Sequence, residues 1–333
     1  LLYDDQDDKS QFDLILSAIN SINRNSSEDD VKALNEHIRR EITAKPVLTK
    51  IIQQQRNTSL LDACATSLCE QLHPTIKCLI RANPSALLWK SHLGENIIHK
   101  IACHLSNCRL MPWIATNYQW VLDHEICLAN PAPVFDLLTG YTRRRGTTGC
   151  TAAIVQNFFE AYPRGLTQED RCRRTPLHAL IMGSTECEAD LFKWMVEQRP
   201  SNVIQTDRYG ETPLHIACRS LTRHLGDYSS EICKYLIEQC PESVEILDDW
   251  RRLPIHDFLE HCHHRVIKEV VVCLLRAYPE SYGMVSEFTA APSSIPFIQR
   301  IKPLLDEETE LKENVAYLQD VAGVFRDAVD GTQ

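Results

Sequence analysis

The sequence predicts an all-α solenoid of about seven helix-pair units, each carrying a short hairpin or turn finger. Three observations predict it. The first is an interval of fixed length. The apolar pairs Leu79/Ile80, Phe158/Phe159, Met195/Val196, Leu236/Ile237 and Leu274/Leu275, with the weaker Ile42, are each followed four residues later by proline. Those prolines are Pro84, Pro163, Pro200, Pro241, Pro279 and Pro46. The second is a start signal sixteen residues beyond each pair, at Asn96, Thr175, Thr212, Leu253, Ala291 and Thr58, with a looser unit running seventeen residues from Ala115 to Ala132. The third is an elastic distance from each start to the next pair, between 19 and 27 residues. A fixed piece alternating with an elastic one marks a repeat array, in which each unit contacts its neighbours and the core is one long strip.

The elements follow in chain order. Residues 1–27 read as an acidic, partly disordered lead with a short helix over 12–22. Ser27 before Glu28, Asp29 and Asp30 reads as an N-cap with acids in the first turn, opening a helix to about Ala44. The repeat solenoid spans 28–302. Its clearest unit is 207–218. There Gly210 supplies a turn position able to take positive φ, Thr212 is placed to cap a helix, and Pro213 suits the first helical position. Leu214 and Ala217 share a face. A second helix is expected over 230–239, with Ile232, Cys233, Leu236 and Ile237 at helical spacing and Pro241 marking its end. The extra residues of the elastic interval are expected in the connection between the two helices. Residues 303–333 read as a capping helix, with Leu311, Val315, Leu318, Ala322 and Phe325 on one face.

Thr175, Pro176, Leu177 and His178, and the run from Thr212 to Ala217, carry a T-P-L-H start that resembles the ankyrin repeat. Leu253 to His256, Asn96 to His99 and Thr58 to Ala63 are variants; Ala132 to Phe135 and Ala291 to Ser294 are weaker ones. The resemblance covers roughly residues 30 to 300, with steps between starts of 38, 36, 43, 37, 41 and 38 residues against a family period of about 33. Arg173 and Arg251 stand where the best unit has Gly210, so those hairpins are expected to be distorted. The resemblance implies that His99, His178, His215 and His256 hydrogen-bond neighbouring backbone and tie units together. It also implies a non-enzymatic protein–protein interaction module, binding through a concave face and its finger tips.

Composition narrows the function. The net charge of -10 argues against nucleic acid or an anionic membrane as partner, and no run reaches the ~18 apolar residues of a membrane span. Fourteen scattered cysteines without a C-x-x-C pair suit a reducing compartment, read as cytoplasmic or nuclear. The chain begins at Leu1 rather than Met, so a longer parent protein is expected. No phosphate-cradling glycine loop or nucleophile elbow occurs, and no cofactor is expected.

The candidate partner site is the set of finger tips: Arg171, Arg173 and Arg174; Arg208 and Tyr209; Trp250, Arg251 and Arg252. Arginine and aromatics are enriched at binding hot spots, and such a set suits an acidic segment of a protein partner. The competing reading pairs these arginines locally with Asp170, Asp207, Asp248, Asp249 and Glu211. Arg143, Arg144 and Arg145 form a second basic cluster expected away from the fingers. The alternative functions are the targeting arm of a larger enzyme, or a metal-dependent regulator using His261, Cys262, His263 and His264. Adjacent ligands on one helix diverge, whereas a closed zinc site needs four that converge, so no metal is expected there.

Overall fold

The computed structural model describes residues 6–22, 26–50, 59–67, 70–89, 96–104, 106–124, 132–143, 150–183, 189–220, 227–261, 268–278 and 281. The described residues are all-α, without a strand. The chain divides into two compact units, Leu1–Arg171 and Cys172–Gln333.

The first unit contains α1 (Gln6–Ser21), α2 (Glu28–Ala44), α3 (Leu60–Thr66), α4 (His73–Ala82), α5 (Ile97–Cys103), α6 (Met111–Asn117), the single turn α7 (Gln119–Leu122), α8 (Pro133–Arg143) and α9 (Ala152–Ala161). The second contains α10 (Pro176–Gly183), α11 (Ala189–Gln198), α12 (Pro213–Ser220), α13 (Asp227–Gln239), α14 (Pro254–His261) and α15 (Lys268–Ala277). Within each unit, first helices pack on first helices and second on second: α3 on α5 and α5 on α8, α10 on α12 and α12 on α14, α2 on α4, α11 on α13 and α13 on α15.

This layering sets the composition of each helix. First helices are short and enclosed, so they are apolar nearly all round. Residues 213–218 of α12 and 60–65 of α3 are buried without a break. Second helices have one face outward and are striped; α13 buries Ile232, Cys233, Leu236 and Ile237.

The fixed interval has a backbone cause. A residue before proline is driven out of the α region. Lys45, Asn83, Tyr162, Arg199 and Cys240, each preceding such a proline, all have φ between -132° and -149° and ψ between 70° and 83°. Each closes its helix by donating its N–H four residues back, to Glu41, Leu79, Phe158, Met195 and Leu236. The proline then opens a 3-10 turn: Pro46–Lys50, Pro84–Leu88, Pro163–Thr167, Pro200–Val203 and Pro241–Val244. In the unit that lacks the proline, α7 takes the place of that turn.

Several expectations are revised. The first helix begins at Gln6, not Phe12. Asp7 and Asp8 favour the positive end of the helix, Lys45 pairs with Asp8 at 2.8 Å, and Phe12, Ile15, Leu16 and Ile19 are buried. The helix over 230–239 starts three residues earlier, at Asp227. The elastic residues do not all enter the connection between helices. Of the eight that separate the longest interval from the shortest, four lengthen the first helix, which has 7 residues in α5 and 11 in α8. One lengthens the connection, and three extend α9 before Phe159.

The hairpins with arginine are not distorted. Arg173, Gly210 and Arg251 have φ of 58°, 74° and 60°, the same left-handed turn three times. A side chain there costs roughly 1–2 kcal/mol. At Arg251 the Asp248 carboxylate helps hold the turn by accepting from the amides of Trp250 (2.9 Å) and Arg252 (2.7 Å). Gly210 has a further reason to lack a side chain: a Cβ there would lie 2.8 Å from the Asp249 nitrogen of the next finger. The predicted capping helix over 303–333, the start at Ala291 and the metal-like run 262–264 lie outside the described residues.

Candidate binding site at the finger tips

The fingers are stacked by backbone hydrogen bonds. Within a finger, Asp207 donates its N–H to the Glu211 carbonyl and Asp248 to that of Arg252, both at 2.9 Å. Between fingers, Arg208 N–H donates to Cys172 O at 2.7 Å and Asp249 N–H to Tyr209 O at 2.9 Å.

His178 and His215 anchor the fingers to the helices. Thr212 N–H points at His215 Nδ1 (3.1 Å) and the Thr212 hydroxyl lies 2.8 Å from the same atom. Nδ1 is therefore an acceptor, and the Nε2–H donates to the carbonyl of Arg252 in the next finger at 3.1 Å. His178 repeats the arrangement with Thr175 and the Glu211 carbonyl (3.2 Å), and His256 Nδ1 accepts from Leu253 N–H at 2.9 Å. The Thr212 hydroxyl thus serves the ring more than the helix end, since its bond from the His215 amide is 3.5 Å long.

The fingers combine a threonine–proline–leucine–histidine start, a left-handed turn and a histidine bond to the next finger. The family model for ankyrin repeats (3 copies) matches residues 147–248. Residues 147–248 carry ankyrin repeats. No curated protein matches the sequence. Ankyrin repeats are generally protein–protein interaction modules. No helix among the described residues is long and apolar enough to cross a membrane.

The finger tips hold the predicted site residues in different ways. Tyr209 and Trp250 stack, with ring centroids 5.6 Å apart and planes 25° apart. Arg208 lies over Tyr209 at 4.5 Å and bonds its hydroxyl, while Arg252 lies over Trp250 at 5.0 Å. Trp250 remains 52% exposed. Arg171, Arg173, Arg208 and Arg251 are exposed. Arg174 is half-buried, with Nη1 3.0 Å from Met182 Sδ. His261 closes α14, and Arg143 closes α8.

Arg252 faces inward. Its Nε and Nη2 lie 2.9 and 2.8 Å from Asp248 Oδ2, and Nη2 is 3.4 Å from Asp257 and 3.9 Å from Glu211. Arg219 completes the group, pairing through both Nη atoms with Glu211. Glu211, Asp248 and Asp257 are all at most 4% exposed, and one carboxylate oxygen from each lies within 4.8 Å of the other two. Such a triad could hold a metal ion, but two guanidinium groups already supply its counter-charge. Local pairing of the tips therefore holds for Arg252. Asp207 instead spends one carboxylate oxygen on the amides of Tyr209 and Glu211. The sequence reading missed this network. The signal was Asp257, charged at the position where the best unit has Ile216 inside an enclosed helix.

Opposed titrations follow from this burial. Burial pushes His215 and His256 down to about 4, so both are neutral in the fold. Their stabilisation is complete above the unfolded value near 6.5 and is lost as pH falls toward about 4. Burial pushes Asp257 up to about 7, against the pull of Arg252 and Arg219. Its contribution runs the other way, lost as pH rises from about 4 through about 7. Asp257→Asn is expected to raise stability at pH 8 by ~1–3 kcal/mol and to steepen the loss between pH 7 and pH 4. Urea midpoints of both proteins across that range test it, and an unchanged pH slope would refute the assignment.

Proposed function

We propose that this chain is a non-enzymatic module that binds an acidic segment of a protein partner through the finger tips of its second unit. The carrying observation is the exposed Trp250, stacked on Tyr209 and flanked by Arg208 and Arg251. Aromatic area beside guanidinium groups is the composition of a hot spot, and guanidinium pairs carboxylates with two parallel hydrogen bonds. Arg173 extends the row to the preceding finger, and Arg174 and Arg252 support it from the less exposed side. The match to ankyrin repeats supports a protein partner. Fourteen scattered cysteines without a C-x-x-C pair support a reducing compartment, cytoplasmic or nuclear.

The test is capture from native lysate by the immobilised chain, with bound proteins identified by mass spectrometry. Trp250→Ala with Arg208→Glu and Arg251→Glu is expected to reduce capture at least about thirtyfold, as loss of a hot spot does. Salt should weaken wild-type capture, since exposed charges are screened beyond about 8 Å at physiological ionic strength. Melting temperature should hardly change. If that variant keeps its partners while Arg143, Arg144 and Arg145 changed to glutamate loses them, the binding face is on the other side.

A further inference from the structure

We propose that a cleft between α2 and α4 in the first unit binds a phosphate monoester, independently of the finger tips. The cleft holds about 320 Å3 and is lined by Arg39, His73, Pro74, Lys77, Cys78 and Arg81. Three of these side chains are permanent cations, and the lining includes no carboxylate. That runs against the composition of a chain with 45 acidic and 35 basic residues.

The arrangement follows from helical spacing. His73, Lys77 and Arg81 are four residues apart along α4, so they share one face. Like charges at this spacing repel by a few tenths of a kcal/mol per pair. Among the described residues, no carboxylate forms an ion pair with Arg39, Lys77 or Arg81. Two acids on the flanking segments are engaged elsewhere: Glu36 with Arg40 at 3.7 Å and Glu70 with Arg109 at 2.9 Å. A bound anion would relieve the repulsion as well as attract the cations.

The cations are also positioned. Lys77 Nζ lies 5.3 Å and Arg81 Cζ 5.5 Å from the centre of the Trp113 ring on α6. Contact with that ring restricts both long side chains, so less freedom is lost on binding. Arg39 faces them from α2 and also lines a neighbouring hollow with Glu36, Arg40, Thr43 and Ala44. Two guanidinium groups and one ammonium outmatch a single carboxylate. A phosphate monoester, with nearly two charges and three acceptor oxygens, answers all three.

The experiment is calorimetric titration of the full chain at low salt. The probes are a glycine–serine peptide with one phosphoserine, the same peptide unphosphorylated, and inorganic phosphate. Saturable binding of the phosphopeptide is expected, with none by the unphosphorylated form. Arg39→Gln with Arg81→Gln should weaken binding at least about tenfold, whereas Arg40→Gln should change it less than about twofold. Lys77→Gln alone should act in the same direction, should the double variant lose its melting transition. A phosphopeptide at least about tenfold tighter than inorganic phosphate identifies a phosphorylated protein segment as the source. Equal affinity identifies a small phosphorylated molecule. Absence of saturable binding by either phosphate probe, or undiminished binding in a folded double variant, overturns the proposal.

Discussion

Arg252→Glu is expected to destabilise the second unit by ~3–5 kcal/mol, the cost of breaking a buried ion pair. From sequence, Arg252 stands at a tip beside Arg251 and looks dispensable for folding. In the structure its guanidinium lies against Asp248 at 2.8 Å and Asp257 at 3.4 Å, and those carboxylates are 4% and 0% exposed. Removing the cation leaves Arg219 alone to balance three acids, and a glutamate adds a fourth. The Asp248 turn and the His215 bond to the Arg252 carbonyl belong to the same finger, so the damage should spread along the stack. Urea unfolding followed by circular dichroism measures it. Arg208→Glu, at an exposed tip residue, is the comparison and should cost less than about 1 kcal/mol. Equal losses in the two variants would show that Arg252 is not a structural cation.

Leu214→Ala should cost ~2–5 kcal/mol, because a cavity remains where α12 packs between α10 and α14. Leu214 is 0% exposed in a helix buried from 213 to 218. Stability in a repeat array is a sum over units and their neighbours, so the loss should centre on α12 and α13 rather than spread evenly. Hydrogen exchange read by mass spectrometry should show faster exchange there first. Ile204→Ala is the control, since Ile204 is 45% exposed. A parent-like urea midpoint for Leu214→Ala would contradict the packing of this helix.

The repeat was legible because its signals are local. A proline four residues after an apolar pair restricts its own backbone and the residue before it, whatever surrounds them. Helix ends at Lys45, Asn83, Tyr162, Arg199 and Cys240 could therefore be placed from spacing alone. The same holds for the Ser27 cap, whose side chain accepts from Asp30 N–H at 3.2 Å. The helix start at Gln6 was harder to place. Acids in a first turn favour a helix only weakly, and the Lys45 partner of Asp8 is 37 residues away.

The tips show the limit most clearly. Arg208, Arg251 and Arg252 look equivalent as letters in a turn. The sequence by itself determined that the chain is an array of helix pairs with arginine and aromatic residues at its fingers, because periodicity and proline chemistry act within a few residues. Only the tertiary structure decided which arginines face solvent. That choice depends on Glu211 from the preceding repeat and on Asp257 in the helix that follows the finger, whose carboxylates must be neutralised once packing takes them out of water. It also decided that arginine can occupy the left-handed turn of Gly210. A stacked finger held by backbone bonds offsets a local cost of roughly 1–2 kcal/mol that no single residue could reveal.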